Sequence, residues 1–250
     1  MVQVHGKVSQ TLLIKECESY IKDLHKCLVP SLYNRRYSST AKHPYKVMSF
    51  INAMSWRVYE AANSALKLIR HDLVVPSLCL VRAVWEDMAL TYDLATLIET
   101  CCGNHFVPED VDEKLMCFCF ANRFDRSSRF AGEEYYESFK DYQAKNILTL
   151  VGKVEKAFPE TKGFYSTICE FVHPNGDGVG GSYSRLDEES DTTFFGPQID
   201  KKSCLFPAFV KTLSCAIMLY LSFLESIENN IDKFAKLCEN SLAIKTSKTE

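Results

Sequence analysis

Apolar residues recur at the spacing of an α-helix along several segments of this chain that are too long to be strands. From Tyr45 to Arg70 they fall three and four residues apart, with no proline or glycine between them. This period places apolar side chains on one face of a helix. Only ten glycines and eight prolines occur in 250 residues, as expected where long helices carry most of a chain. The sequence therefore predicts an all-α fold, a single bundle of about six to seven helices.

Proline, glycine and acidic residues mark the ends of the predicted helices. Pro76 fits a first helical turn, because proline's missing N–H costs nothing there. His173 precedes Pro174 and therefore avoids helical torsions, which ends a helix. The predicted helices span about residues 9–29, 45–70, 76–100, 108–130, 132–158, 162–172 and 203–242.

A glycine-rich stretch, 176–181, separates the last two predicted helices. Two short segments with strand-forming residues flank an acidic turn after it, so we expect residues 175–202 to form an extended flap or short hairpin. The tail from about residue 245 is polar and is expected to fray. Since no repeat or linker interrupts the chain, we expect one helical domain over residues 1–250.

The chain has eleven cysteines, an odd number, and opens without a recognisable signal peptide. We therefore expect reduced thiols that act mostly as small apolar side chains, and a cytoplasmic location. The apolar stretch from Cys204 to Leu224 approaches the length of a membrane span, about 20 residues. A buried core helix is the favoured interpretation, because amphipathic helices need such a partner. No membrane association is expected.

A basic tract runs from Leu24 to Tyr59, which contains no Asp or Glu although the formal net charge of the chain is −3. Cations for phosphate and tyrosine rings for stacking would suit RNA, whereas the alternative is an unpatterned solvated surface. The candidate nucleic-acid-binding residues are Arg35, Arg36, Lys42 and Lys46. A second basic series, Arg123, Arg126 and Arg129, recurs every three residues.

The segment Glu170–Asn175, with sequence Glu-Phe-Val-His-Pro-Asn, gathers a carboxylate, an imidazole and an amide where a helix meets a flexible loop. Loops on a rigid scaffold commonly carry function, which makes His173 and Asn175 candidate site residues. The alternative is structural: His173 would cap the helix and Asn175 would form the turn.

Arg82 and Glu86 lie four residues apart in an otherwise apolar segment. That spacing puts both on one helix face, where they can pair. If they face inward they need a partner, because an unpaired buried charge is costly. A structural ion pair and a functional site are both consistent with the pattern.

These two motifs, Arg-x-x-x-Glu on a long apolar helix and Phe-Val-His-Pro-Asn before a glycine-rich loop, resemble the HEPN superfamily (higher eukaryotes and prokaryotes nucleotide-binding), in particular its uncharacterised bacterial branches. The resemblance covers residues 45–224 in the order of elements. It implies a helical bundle, and many members of the superfamily are metal-independent ribonucleases of toxin or phage-defence systems. They act as homodimers that bring together two Arg-x(4–6)-His motifs.

The sequence departs from that motif, because no arginine lies four to six residues before His173. The one match, Arg36 with His43, lies in the first interhelical loop, and we assign no catalysis to it. The departure favours a non-catalytic member or a different arrangement of Arg82, Glu86 and His173.

Other site chemistries fit less well. Glu170-x-x-His173 is one half of a di-iron pattern that needs a second copy. The cysteines near 101–119 lack zinc-knuckle spacing. No cofactor or metal is therefore expected.

The resemblance implies an RNA- or nucleotide-directed effector of a bacterial defence or toxin-type system, acting as a metal-independent ribonuclease and a homodimer. In the catalytic site His173 would transfer protons or contact phosphate, with Arg82 as charge stabiliser, Glu86 as its orienting partner and Asn175 as a positioning group. The alternative is a non-catalytic helical interaction module that binds a partner protein through the flap.

Overall fold

Helices dominate the computed structural model, which describes residues 10–120 and 144–247, with side chains to residue 244. The all-α prediction is confirmed. The helices are α1 (Gln10–Lys26), α2 (His43–Arg70), α3 (Val74–Gly103), α4 (Val111–Phe120), α5 (Ile147–Ala157), α6 (Phe164–Val172) and α7 (Phe206–Ser247). A 3₁₀ turn (Pro159–Thr161) precedes α6, and a π-helical turn (Gly176–Gly181) follows it. The hairpin β1 (Ser184–Asp187) and β2 (Thr192–Phe195) then leads to α7.

Two predicted elements differ from the structure. The helix predicted for residues 132–158 begins at Ile147, and residues 144–146 are not helical. Asn146 explains the start, because its Oδ1 accepts the N–H of Leu148 at 3.0 Å. The flap is not extended throughout, since its glycine-rich part forms the π-helical turn. The predictions for 121–143, including Arg123, Arg126 and Arg129, lie outside the described residues.

The chain divides into two compact units. Unit 1 comprises Met1–Leu28, Ser55–Ala89 and Val151–Leu221; unit 2 comprises Val29–Met54, Leu90–Leu150 and Ser222–Glu250. The single domain over residues 1–250 stays a prediction.

Unit 1 is organised around large buried side chains. Trp85 is fully buried, and its Nε1 donates to the Thr212 carbonyl at 3.2 Å. Its ring meets Phe164 edge-on, with centroids 6.1 Å apart. The hydroxyls of Ser55 and Tyr220 lie 2.7 Å apart in the same unit. This core holds α3 and α6, which carry the candidate site residues.

Unit 2 has its own apolar centre. The rings of Tyr92 and Phe223 pack at a tilt with centroids 5.0 Å apart, and those of Phe50 and Phe118 do so at 5.7 Å. The Lys145 Nζ lies 3.6 Å from the Phe118 ring centroid and 2.5 Å from the Asp93 carboxylate. A cation between an aromatic face and a carboxylate stabilises this part of the unit.

Helix α7 is the one described helix that is long and apolar enough, over Phe206–Ile244, to cross a membrane by length and composition. A core helix of a soluble protein passes the same test, and 61% of its most apolar window is buried. Phe206, Val210 and Ile217 are fully buried, which favours the core interpretation.

Candidate functional site

Arg82 and Glu86 form the predicted ion pair on α3. The Arg82 Nε donates to the Glu86 Oε1 at 2.9 Å, and both side chains are about one-third exposed. The same Glu86 oxygen accepts the Tyr165 hydroxyl from α6 at 2.7 Å. The Arg82 guanidinium also lies over the Tyr165 ring, 5.8 Å from its centroid. The pair is therefore a three-residue cluster that joins two helices of unit 1.

The cluster raises the pKa values of Tyr165 and Arg82. Burial raises the pKa of the Tyr165 hydroxyl, and its hydrogen bond to Glu86 raises that pKa further. Burial lowers the pKa of Arg82, but hydrogen bonding with Glu86 and Tyr165 outweighs it, so that pKa lies above its ordinary value. At neutral pH Tyr165 remains a donor and Arg82 a cation.

Tyr165→Phe is expected to lower the free energy of unfolding by about 1–2 kcal/mol, because it leaves a partly buried carboxylate without one hydrogen bond. Urea unfolding at pH 7 measures the change. Tyr183→Phe is the matched control, since the Tyr183 hydroxyl makes no hydrogen bond with any described residue. Equal stability of the two variants would show that the Tyr165 bond contributes nothing.

His173 ends α6, as its position before Pro174 predicted. Its backbone is extended, and its N–H donates to the Cys169 carbonyl at 3.0 Å. The residue is exposed, and within residues 10–120 and 144–247 its side chain makes no hydrogen bond, ion pair or ring contact. The imidazole is therefore presented to solvent at a helix end.

Asn175 shapes the turn that follows His173. Its Oδ1 accepts the Gly178 N–H at 2.8 Å, and its Nδ2 donates to the Glu170 carboxylate at 2.7 Å. An amide that caps a turn in this way satisfies backbone groups at the turn's start. Asn175 therefore stabilises the conformation of the turn after α6.

Helix α6 links the two predicted motifs. Arg82 contacts Tyr165 of this helix, and Tyr165, Cys169 and His173 are spaced four residues apart in the sequence. Residues at this spacing share one helix face, and the eight residues from Tyr165 to His173 correspond to about 12 Å along the axis. The motifs thus lie on adjoining elements of unit 1, although no hydrogen bond or ion pair among the described residues joins His173 to Arg82 or Glu86.

The basic tract is partly neutralised by residues of unit 2. Lys46 forms an ion pair with Asp112, and the His43 Nε2 lies 3.4 Å from the same carboxylate. Arg36 lies over the Tyr37 ring at 5.4 Å, and its charge opposes the rise that burial causes in the pKa of Glu228 on α7. Arg35, Arg36 and Lys42 are exposed. Two of the four predicted RNA-binding cations therefore already have acidic neighbours in this chain.

Two further polar residues of unit 1, Tyr165 and Asp87, were not predicted as site residues from the sequence. Tyr165 has no sequence signal, because its partners are 79 or more positions away. Asp87 is buried, and its carboxylate accepts from the Arg57 Nε at 2.8 and 3.1 Å. A charge inside an apolar segment was the signal that could have found it, since buried carboxylates need partners.

The cysteines are all free thiols, and four of them, Cys17, Cys101, Cys102 and Cys238, are buried. Cys79 lies in α3, but its thiol is exposed and does not belong to the core. No three His, Cys, Asp or Glu side chains in the described ranges lie close enough together to hold a metal ion. Comparison of the chain with family models, curated proteins and solved structures found no match.

Proposed function

We propose that this protein is an RNA- or nucleotide-directed effector of a bacterial defence or toxin-type system that cleaves RNA without a metal ion. The observation that supports this is the placement of Arg82 and His173, 91 positions apart in the sequence, on adjoining elements of one unit. In this proposal the protein works as a cytoplasmic homodimer.

Each group has a role that its surroundings suit. His173, exposed at the end of α6, moves protons between the ribose or leaving oxygen and water. Arg82, a fixed cation, stabilises charge on the phosphate. Glu86 orients Arg82 through Nε and leaves the terminal guanidinium nitrogens to the substrate. Asn175 is a positioning residue that sets the loop after His173.

The exposed cations Arg35 and Lys42 are the proposed RNA contacts from the basic tract. Lys46 would contribute less, because binding phosphate requires it to leave its ion pair with Asp112. Binding carried by such contacts weakens as salt rises.

A second candidate is a non-catalytic interaction module that binds a partner protein. Two observations favour it: Glu86 accepts two hydrogen bonds from its own chain, and the Asn175 amide is engaged by Gly178 and Glu170. In that proposal these polar groups fix helix packing and loop shape.

His173→Ala is expected to reduce RNA cleavage by at least about 100-fold, the lower end of general acid–base contributions, with little change in melting temperature because the imidazole is exposed. Cleavage of a labelled single-stranded RNA, with and without EDTA, measures the rate. His71→Ala is the control, since His71 is also exposed in unit 1 and should leave the rate unchanged.

The outcomes separate the two candidates. Cleavage that persists in His173→Ala contradicts the assigned site. A wild-type protein that cleaves no RNA, together with a destabilised His173→Ala variant, supports the interaction module. Loss of cleavage in EDTA contradicts the metal-independent mechanism.

A further inference from the structure

The hairpin β1–β2 exposes large apolar side chains. Phe195 is 83% exposed, Leu186 57% and Phe194 47%. All four residues of β2 are exposed. Leu186 and Phe195 lie on one face of the hairpin and Phe194 on the other, and exposed apolar surface can mark an interaction site.

The outer edge of β2 also carries unpaired backbone groups. The Gly196 N–H donates to the Tyr183 carbonyl at 2.9 Å, so Tyr183 and Gly196 form a hydrogen-bonded pair. Arg185 and Phe194 lie two residues further along the same register. Pairs alternate along an antiparallel ladder, so the N–H and C=O groups of Thr193 and Phe195 point away from β1. No hydrogen bond among residues 10–120 and 144–247 reaches these groups.

We propose that the β2 edge binds the same edge of a second copy of this chain, forming a four-stranded antiparallel sheet about a twofold axis at Phe194. In this register Thr193 pairs with the partner's Phe195, and Phe195 pairs with the partner's Thr193. Both are hydrogen-bonded pairs, so the four outward groups of each copy find matching groups on the other. The edge is therefore complementary to itself, as a twofold interface requires.

The side chains fit this arrangement on both faces of the sheet. Phe194 meets the partner's Phe194 in the closer, non-hydrogen-bonded type of pair. The Arg185 guanidinium lies over the Phe194 ring of its own copy, 5.3 Å from the centroid, and shields the aromatic pair. Leu186 and Phe195 of both copies share the opposite face.

Charge selects the antiparallel direction of the pairing. Charged residues and prolines usually prevent two sheet edges from pairing, and the strand Thr192–Phe195 contains neither. The turn between the strands contains Glu188, Glu189 and Asp191. Antiparallel pairing places the two acidic turns at opposite ends, about 20 Å or more apart at 3.4 Å per residue, beyond the screening length of about 8 Å at physiological salt. Parallel pairing would bring the turns together.

The contact is small, because each copy contributes one four-residue strand. Interfaces well below about 1,000 Å² are weak or transient, so we expect a dimer with a dissociation constant on the order of 100 µM. The inference concerns a surface apart from Arg82 and His173, and it rests neither on the proposed RNA cleavage nor on the homodimer that belongs to that proposal.

Sedimentation equilibrium from about 10 to 500 µM tests the proposal, a range chosen to bracket the expected affinity. Phe194→Asp should abolish the dimer, because it places two like charges on the twofold axis. Thr193→Pro should abolish it as well, because it removes an outward N–H while leaving the bonds to β1 intact. Glu189→Gln, in the exposed turn, is the control and should dimerise like the wild type.

A monomer over the whole range would overturn the proposal, as would a dimer that survives in both folded variants. The register is tested by Phe194→Cys, in a chain whose exposed Cys79 and Cys204 are replaced by serine. Mild oxidation should join residue 194 to the partner's residue 194, whereas a disulfide elsewhere or none contradicts the twofold pairing. RNA cleavage is also measured on the Phe194→Asp variant. Loss of the dimer with cleavage retained would support this inference without bearing on the proposed catalytic site.

Discussion

Gly178→Ala is expected to destabilise unit 1 by about 3 kcal/mol, the upper part of the range for inserting atoms into a filled space. A Cβ at this position would lie 1.9 Å from the His173 carbonyl oxygen and 3.1 Å from the Phe171 carbonyl oxygen. Both are backbone atoms, so no side-chain rotation relieves the clash. Relief would require the turn to open and the hydrogen bond from Gly178 N–H to Asn175 to break.

Gly180→Ala is the matched control, because a Cβ there has no neighbour within 4 Å. It lies in the same π-helical turn and should change the free energy of unfolding by less than about 1 kcal/mol. Urea unfolding of both variants measures the difference. If Gly178→Ala is as stable as Gly180→Ala, the close approach of the turn to the end of α6 does not exist in solution.

The helical fold was predictable because it depends on a local pattern. Apolar spacing in α2 and α3 requires no knowledge of what each helix contacts, and Pro174 ends α6 through its own torsional effect on His173. The π-helical turn was not predictable in the same way. Its glycines indicated a flexible loop, and only the side-chain cap from Asn175 and the missing Cβ of Gly178 turn that sequence into a compact helical turn.

The candidate site was predictable to the extent that it lies within one element. The Arg82–Glu86 pair follows from a spacing of four residues, whereas the Tyr165 hydroxyl reaches Glu86 only because α3 and α6 are adjacent. The basic tract shows the same limit. The absence of acidic residues can be read directly from the tract. The acidic residues near it, Asp112 beside Lys46 and Glu228 near Arg36, come from distant segments of the chain.

The largest pH effect on stability is expected from Asp87. Burial raises the pKa of this carboxyl to about 6, although the Arg57 guanidinium opposes the rise. The folded state therefore holds the Asp87 proton more tightly than the unfolded state does. Stability should fall as pH rises from about 4 to about 6 and then level off.

Asp87→Asn removes this titration, so the difference in unfolding free energy between variant and wild type should change by about 2 kcal/mol between pH 4 and pH 7, in favour of the variant at pH 7. Urea unfolding across that range measures it. A difference that stays constant with pH would contradict the raised pKa.

Arg57→Gln supplies the opposite test of the same pair. Removing the cation leaves burial unopposed, so the folded-state pKa of Asp87 should rise further, and the decline in stability, which still starts near pH 4, should extend to higher pH. At pH 7 this variant should be less stable than the wild type, because a buried carboxylate has lost its partner. Combining the two substitutions should restore most of that loss, since the asparagine carries no charge to be paired. A double variant as unstable as Arg57→Gln alone would mean that Arg57 stabilises unit 1 through contacts other than Asp87.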